Sequence, residues 1–406
     1  MPDSENCLPI EQSDIGITLV DKARALQPLL REHASANESA RRVSADVFGE
    51  LSAIGLLRAY IPKKFGGFEV SPRWFWRIAA EISAACPSTG SVFCVLSCHT
   101  FIFSMFDEDC QREVFSAHPD VAISGVLPDR STAEVVDGGL SLNNGLWPFG
   151  SGCHNAEWAM LGTELIGYPP GYNKAFCMVP MSDIEIVDDW HVSGLKATGS
   201  NSLKLKSPRV FVPQSRTLKA EVALSHKFSQ VRPQLYRTPM APVLALSLGL
   251  GTTIGTAKAA LEDFEDLVTQ RSNKPMVYTL QVRKTDLPAT RRALAQATAR
   301  LDSACLLADR ACDLAWHAAA NPDHVLDNET RAKIRLYGVH VMHECREVVN
   351  ALYLESGGSS LHEKSPMQRF NRDIQAMTMH EAMHLGTIQD TYGRVRLNQP
   401  TDHWLL

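Results

Sequence analysis

The sequence has little that would mark a nucleic-acid-binding or membrane protein. No run of lysine and arginine exceeds two residues, and the formal net charge is −5 over 406 residues. A basic face is therefore not expected, and nucleic acid is not an expected partner. The most apolar stretches, 91–106 and 241–256, are interrupted by Ser, Thr, His or Gly and are too short to span a bilayer. We therefore expect no membrane-spanning helix.

The chain also lacks the marks of a secreted or a nicotinamide-dependent protein. None of its ten cysteines forms a C-x-x-C pair, and the N-terminal MPDSENCLPIEQSD contains no apolar signal-peptide segment. This combination predicts reduced thiols and a cytoplasmic location. No G-x-G-x-x-G follows a predicted strand, so a nicotinamide site is not expected.

What the sequence does contain is a change of periodicity at two points. Apolar residues recur at helical spacing up to about residue 120 and again from residue 241. Between these points they alternate with the period of two that is typical of strands. The C-terminal part predicts a four-helix bundle, because it holds four long helical segments with short connections: about 241–270, 287–319, 328–356 and 367–393.

The predicted fold class is therefore mainly α with a central β-module. We expect a disordered N-terminus at 1–14, a helical domain at 15–120, the β-module at 121–225, the bundle at 226–396 and a tail at 397–406. Local signals support these elements. Ser44 and Ser71-Pro72 predict helix starts, and Asn143-Asn144-Gly145 predicts a tight turn between strands.

Two loops of the β-module carry hydroxyl groups. They are Trp147–Gly152, with the sequence WPFGSG, and Lys196–Ser200, with the sequence KATGS. Such loops suit the binding of a flat cofactor, because glycines on both sides of Ser151 let the backbone approach a planar ligand.

The same residues also have structural roles available to them. Ser151 can bond its own backbone in a turn. Trp147 and Phe149, two residues apart, can pack on a sheet face instead of walling a cofactor. Thr198 and Ser200 can bond a cofactor or form the turn before the next strand. The residues alone leave these alternatives open.

Short motifs in a fixed order carry a resemblance to a known family. They are PKKFGG at 62–67, WPFGSG at 147–152, GLKATGS at 194–200, VFVP at 210–213 and RD at 372–373. Over residues 16–396 this order resembles the acyl-CoA dehydrogenase fold. The resemblance implies an N-terminal helical domain, a β-barrel middle domain and a C-terminal four-helix bundle.

Within that fold, three features resemble the branch of two-component flavin-dependent monooxygenases. Ser97-Cys98-His99 matches a His-bearing N-terminal helix, Trp147–Gly152 matches W-x-F-x-S-G, and Arg372-Asp373 with His380 matches R-[DN]-x6-H. The resemblance implies an oxygenase component that uses reduced FMN or FAD and O2, through a C4a-hydroperoxyflavin, to hydroxylate a phenol or indole-type aromatic substrate. It also implies a separate flavin reductase and a homotetramer.

The resemblance further assigns roles around the flavin ring. Ser151 would hydrogen-bond the flavin near N5. Trp147 and Phe149 would wall the ring system, and Thr198 and Ser200 would bond its pyrimidine edge or phosphate.

Three more residues would contact the flavin phosphate in the same family. Arg271 would reach it, commonly from a neighbouring subunit, and Gly357 and Gly358 would offer backbone amides. Alternatively, Arg271 is a solvated cation at a helix end, and the two glycines form a helix cap and linker.

Two histidines are the candidates for handling the substrate. His99 lies in an otherwise apolar helix, where a lone histidine can equally be a satisfied core residue. His380 is the stronger candidate, because a neutral imidazole in a dry pocket can take a phenol or indole proton. The resemblance implies a catalytic role for both, together with Ser151.

Two other functions share the residues around His380. His380-Glu381-Ala382-Met383-His384 is an H-E-x-x-H sequence, which on one helix would place both histidines on one face as zinc needs. Glu381 also stands eight residues after Asp373, where some acyl-CoA dehydrogenases carry their catalytic base. We expect no metal, since the flanking sequence lacks the further zinc-protease ligands. The dehydrogenase is the first alternative function and the metalloprotease a remote one.

Overall fold

The computed structural model describes residues 13–224, 232–271 and 283–401, and its first part is helical. Among the described residues, six α-helices precede the strands: α1 Asp14–Ala25, α2 Gln27–Ala40, α3 Ala45–Ala53, α4 Pro72–Ala85, α5 Pro87–Phe103 and α6 Glu108–Phe115. Both predicted helix starts are confirmed. The Ser44 hydroxyl accepts a hydrogen bond from the Val47 amide at 3.4 Å, and Pro72 is the first residue of α4.

Helix α5 is the buried centre of this part. Every residue in it except Val95 is buried, including His99. A helix that is covered on all sides has no solvent-facing side, and this explains why α5 contains no Asp, Glu, Lys or Arg.

Ten strands form the β-module: β1 Ile123–Val126, β2 Thr132–Val136, β3 Gly139–Asn143, β4 Leu146–Trp147, β5 Trp158–Leu165, β6 Lys174–Pro180, β7 Ile184–Val187, β8 Ser202–Leu205, β9 Arg209–Pro213 and β10 Thr217–Lys219. Seven of them make one sheet in the order β10-β6-β5-β2-β3-β9, with β1 parallel to β5. The other three make a second sheet in the order β4-β8-β7. The prediction of a tight turn at Asn143-Asn144-Gly145 is wrong, because the chain continues in one direction along β9 and then β8. These residues connect the first sheet to the second without a reversal.

The two sheets share one apolar core. Leu142 and Leu161 of the larger sheet lie in it with Trp147 and Leu203 of the smaller sheet. Trp147 pairs with Leu203 across β4 and β8. This register brings the loop after β4 beside the loop before β8, so the two hydroxyl-bearing loops are neighbours.

The C-terminal part consists of α7 Ala220–Leu224, α8 Met240–Leu248, α9 Leu250–Asp266, α10 Pro288–Ala320, α11 Asn328–Ser356, α12 Pro366–Thr378 and α13 Leu385–Arg396. Helices α10 and α11 match the predicted segments closely. The prediction of one helix over 367–393 is wrong, because the chain leaves helical geometry after Thr378 and resumes it at Leu385.

Helix α9 packs tightly against α4 of the N-terminal part. A Cβ added at Gly255 would stand 2.2 Å from the Ala80 carbonyl oxygen, so only glycine permits this contact. Among the described residues, Met240–Gln270 is long and apolar enough to cross a membrane by length and composition alone. Its most apolar window is 94% buried, as in the core helix of a globular protein.

Candidate active site

Three hydroxyl groups from the two predicted loops form one hydrogen-bonded chain, which we call the hydroxyl chain. Ser151 Oγ lies 2.6 Å from Ser200 Oγ, and Ser200 Oγ lies 2.6 Å from Thr198 Oγ1. Thr198 Oγ1 donates to the Leu195 carbonyl oxygen at 2.8 Å. Thr198 and Ser200 are buried, whereas Ser151 is partly exposed, so the accessible end of the chain is Ser151.

The partner at the buried end determines the direction of every bond in the hydroxyl chain. A carbonyl oxygen can only accept, so the single proton of Thr198 points to Leu195. The contact between Thr198 and Ser200 must then use the proton of Ser200. By the same reasoning, the contact between Ser200 and Ser151 uses the proton of Ser151. Ser151 Oγ therefore presents lone pairs, and no proton, at its accessible side.

The loop at the buried end of the hydroxyl chain is held by α12. The Leu195 amide donates to Asp373 Oδ1 at 2.6 Å, and the guanidinium of Arg372 donates to the Ser193 carbonyl and to Glu38. Leu195 itself has a left-handed backbone (φ 53°), which is uncommon for a residue with a side chain. These contacts hold Leu195 in a conformation that it would not favour alone.

Asp373 carries out this anchoring from a buried position. It is 2% exposed, and desolvation raises the pKa of its carboxyl group to about 6. The Leu195 amide and the nearby Arg372 and Arg369 oppose that rise, whereas Glu38 adds to it. In the sequence, Asp373 is recognisable only as part of a family motif. Its contact with Leu195 is the role that the structure adds.

The two aromatic residues of the WPFGSG loop lie in different environments. Trp147 is 0% exposed, and its indole N–H donates to the Gly162 carbonyl at 2.8 Å inside the β core. This placement corresponds to the packing alternative, because the Trp147 ring has no surface left to offer a cofactor. Phe149 is 66% exposed, has a left-handed backbone (φ 69°) and contacts Trp190 edge-on at 5.9 Å between ring centroids. Phe149 therefore keeps its predicted availability for a ligand.

His99 is held in one tautomer by the backbone of β1. Its Nδ1 lies 3.1 Å from the Ile123 carbonyl oxygen, which can only accept, so Nδ1 carries the proton. The neutral ring therefore has a bare lone pair on Nε2. Burial lowers the pKa of His99 to about 4, so the ring is neutral at neutral pH. Gly125 makes room for it, since a Cβ there would stand 3.3 Å from His99 Cε1.

His380 is held in the opposite tautomer. The Ala382 amide donates to His380 Nδ1 at 3.2 Å, which leaves the proton of the neutral ring on Nε2. Desolvation lowers the pKa of His380, although its side chain is exposed to solvent. A positive charge on His380 lowers the pKa of His99, so the two predicted histidines lie within electrostatic range of each other.

The H-E-x-x-H sequence does not form a zinc site here. It was expected to lie on one helix, but residues 379–384 interrupt the helix, with a short 3-10 turn at Glu381–Met383. His380 caps that turn, and His384 caps α13 by accepting from the Thr387 amide at 3.2 Å. The two imidazoles are thus used as separate caps. Among the described residues, no group of three His, Cys, Asp or Glu side chains could hold a metal ion.

The predicted phosphate-binding residues lie at the ends of bundle helices. Gly357 follows α11 with φ +78°, and a Cβ added at Gly358 would meet no atom within 4 Å. Lys284 Nζ donates to the carbonyls of Glu355 and Ser356 at 3.1 and 2.9 Å, so this helix end already has its own cation. Arg271 ends a π-helical turn, Leu267–Arg271, but its side chain lies outside what the structure describes.

Comparison with known proteins assigns this arrangement to a family. Residues 20–115 match the acyl-CoA dehydrogenase N-terminal domain, and residues 250–385 match the acyl-CoA dehydrogenase C-terminal domain. The oxygenase component of FADH2-dependent resorcinol hydroxylase from Rhizobium sp. is 32% identical over 94% of both chains. The oxygenase component of p-hydroxyphenylacetate 3-hydroxylase from Acinetobacter baumannii is 28% identical over 95% of this chain and 90% of its own. The crystal structure of 3-HSA hydroxylase from Rhodococcus sp. RHA1 superposes with a TM-score of 0.88 at 26% identity, covering 96% of this chain and 99% of that one.

The chain therefore belongs to the acyl-CoA dehydrogenase family, in its branch of flavin-dependent monooxygenases. The resemblance drawn from the sequence is confirmed, and so is the fold class. The protein is an oxidoreductase that depends on a flavin. The dehydrogenase alternative is not supported by these relatives, which are named as oxygenase components.

Proposed function

We propose that this protein is the oxygenase component of a two-component system that hydroxylates a phenol. It would use O2 and a reduced flavin, FMN or FAD, that a separate reductase supplies, and it would work as a homotetramer in the cytoplasm. The relatives named as hydroxylases of resorcinol and p-hydroxyphenylacetate support this choice. The observation that carries it is the pair of histidines with opposite tautomers.

The two histidines make complementary demands on a substrate. His99 Nε2 can accept a hydrogen bond, and His380 Nε2–H can donate one. A phenol hydroxyl satisfies both, since its oxygen accepts while its proton donates. An indole N–H can only donate, and a thioether can only accept weakly. A phenol therefore suits the pair better than the indole-type substrate that the sequence left open.

The residues around the hydroxyl chain fit a flavin. Ser151 Oγ has accessible lone pairs, Phe149 offers an exposed ring beside it, and Gly358 offers open backbone for a phosphate. When bound, a reduced flavin supplies the two electrons with which one atom of O2 enters the ring and the other leaves as water.

The chain's own residues would manage the substrate proton. His99 stays neutral and accepts from the phenol hydroxyl, which leaves electron density on the ring carbons. As the ring gives electrons to the incoming oxygen, the hydroxyl proton becomes acidic and His99 Nε2 takes it. His380 Nε2–H holds the oxygen that remains. Helix α5, which is almost wholly buried, keeps water away from His99.

A substrate panel tests the proposal. Purified protein is mixed anaerobically with reduced flavin and then with O2 and a phenol, an indole or a thioether, and product and hydrogen peroxide are both measured. We expect product from the phenol alone. His99→Asn keeps a donor for the Ile123 carbonyl but has no Nε2, so it should consume O2 and release peroxide with little product. His384→Asn, a histidine cap at the surface, is the matched control and should behave as wild type. Oxygenation of the indole in preference to every phenol would refute the tautomer argument.

A further inference from the structure

The direction of the hydroxyl chain has a consequence for the redox state of the bound flavin. Resting on the proposed function, we propose that Thr198, Ser200 and Asp373 are positioning residues that make Ser151 an acceptor only, so that the site selects reduced over oxidised flavin. None of the three needs to touch the flavin for this. Each acts through the next member of the hydroxyl chain.

The chemistry of the flavin N5 position supplies the selectivity. In reduced flavin N5 carries a proton and is a donor, whereas in oxidised flavin N5 is an acceptor with a lone pair. Ser151 Oγ offers lone pairs, because its proton is committed to Ser200 at 2.6 Å. A reduced flavin with N5 at Ser151 therefore gains a hydrogen bond. With an oxidised flavin in the same place, N5 and Ser151 Oγ would both be acceptors, and neither would have a hydrogen-bond partner.

A free serine could not discriminate in this way. Its hydroxyl would rotate, donate to oxidised N5 and accept from reduced N5 with equal ease. The Leu195 carbonyl removes that freedom, because it accepts the Thr198 hydroxyl proton at 2.8 Å and so fixes the direction of the hydroxyl chain. Trp190 Nε1 and the Thr198 amide also reach this oxygen, both at 3.1 Å, so Leu195 is the point where the chain is tied to the loop.

Asp373 holds Leu195 in place through the backbone amide of that residue. Its Oδ1 accepts from the Leu195 amide at 2.6 Å, across 178 residues of sequence. Ser88 of α5 lies 3.5 Å from the other carboxylate oxygen, and Arg372 ties the preceding Ser193 to α12. Any acceptor of the same shape would do the same, so the function needs the carbonyl-like oxygen of Asp373 and not its charge.

The test measures flavin binding, not turnover. Dissociation constants for oxidised and reduced flavin are determined anaerobically by titration, and the midpoint potential of the bound flavin gives their ratio independently. In Ser200→Ala the Ser151 hydroxyl becomes free to donate. Oxidised flavin should then bind about tenfold more tightly while reduced flavin is nearly unchanged, which lowers the potential by about 30 mV for two electrons.

Further variants separate the roles. Ser151→Ala should change the ratio of the two dissociation constants as well, but by weakening the binding of reduced flavin instead of strengthening the binding of oxidised flavin. Asp373→Asn should keep the wild-type ratio, whereas Asp373→Ala should lose it. Thr163→Val removes a buried hydroxyl of the same β-module that bonds the Ser131 carbonyl, and it should leave the ratio unchanged.

The outcomes distinguish this inference from the function on which it rests. Binding of both flavin forms with a ratio that Ser200→Ala does not alter by more than twofold would overturn the inference and leave the monooxygenase intact. Binding of neither form by the wild type would overturn both. A fold check by circular dichroism matters only for Asp373→Ala, because Ser200→Ala and Asp373→Asn test the idea without it.

Discussion

Replacing His99 with asparagine should remove part of the acid sensitivity of the fold. The ring is 6% exposed and its pKa is lowered to about 4, against 6.5 for an unperturbed histidine. Between these two pH values His99 is protonated in the unfolded chain but neutral in the folded protein. Stability contributed by neutral His99 is therefore present above about pH 6.5 and is lost as the pH falls towards 4.

The size of the effect follows from the two pKa values. Their difference corresponds to about 3 kcal/mol at full protonation of the unfolded chain. Asparagine cannot titrate, and its side-chain N–H can still reach the Ile123 carbonyl. The free energy of unfolding of the wild type should therefore fall by about 3 kcal/mol more than that of His99→Asn between pH 7 and pH 4. The repulsion between His99 and His380 is already contained in this difference, because it is one of the causes of the lowered pKa.

Differential scanning calorimetry at half-unit steps of pH provides the measurement. For a chain of this length, about 3 kcal/mol corresponds to a few degrees in melting temperature. We expect the two melting curves to lie furthest apart at neutral pH and to converge, or cross, as the pH falls. Melting temperatures that run parallel from pH 7 to pH 4 would show that His99 is not a buried neutral histidine, and the tautomer argument would fail with it.

Two further predictions concern the anchor of the hydroxyl chain. Burial raises the pKa of Asp373 to about 6 from 3.8, so between these pH values the folded protein binds more protons than the unfolded chain and loses stability as the pH rises. Asparagine does not titrate, so Asp373→Asn should be up to about 3 kcal/mol more stable than wild type at pH 7 in denaturant titrations. The difference should shrink towards pH 4. In Gly194→Ala the new Cβ would stand 2.2 Å from the Arg372 carbonyl oxygen, which should push the loop off α12, cost about 1–3 kcal/mol and weaken flavin binding. Gly393→Ala, where a Cβ meets nothing within 4 Å, is the matched control, and equal effects of the two substitutions on flavin binding would contradict the anchoring role.

Elements with local chemical signals were predictable from the sequence. Ser71-Pro72 begins α4 because the serine and proline suit the first turn whatever the helix packs against. Asn143-Asn144-Gly145 is the exception, because the chain does not reverse between β3 and β4 despite the turn-forming residues. The burial of α5 was also predictable from its composition, since the helix contains no Asp, Glu, Lys or Arg.

The interruption at 379–384 had no such signal. No proline or glycine lies between Thr378 and His384, and the residues that cap the new turn and helix are histidines, which are not among the preferred caps. The helix ends there because α13 must turn to pack on α11. Tertiary packing overrode a local preference, and the H-E-x-x-H sequence lost its helical spacing as a result.

The hydroxyl chain lies between these two cases. The residue types and their loops were predicted, but contact between Ser151 and Ser200 depends on the pairing of Trp147 with Leu203 across two strands. The direction of the bonds depends further on the Leu195 carbonyl and on Asp373 from a helix far along the chain. Neither relation is visible in spacing or composition.

The main chain decides what each functional side chain can do at this site. The Leu195 carbonyl makes Ser151 an acceptor, the Ile123 carbonyl makes His99 an acceptor at Nε2, and the Ala382 amide makes His380 a donor. Carbonyls and amides do not titrate, so these roles persist over the whole range in which the histidines stay neutral. A substitution that keeps shape but exchanges a donor for an acceptor should therefore harm the site more than one that deletes the group. The deletion leaves one unpaired partner, whereas the exchange opposes two groups of the same kind at hydrogen-bonding distance.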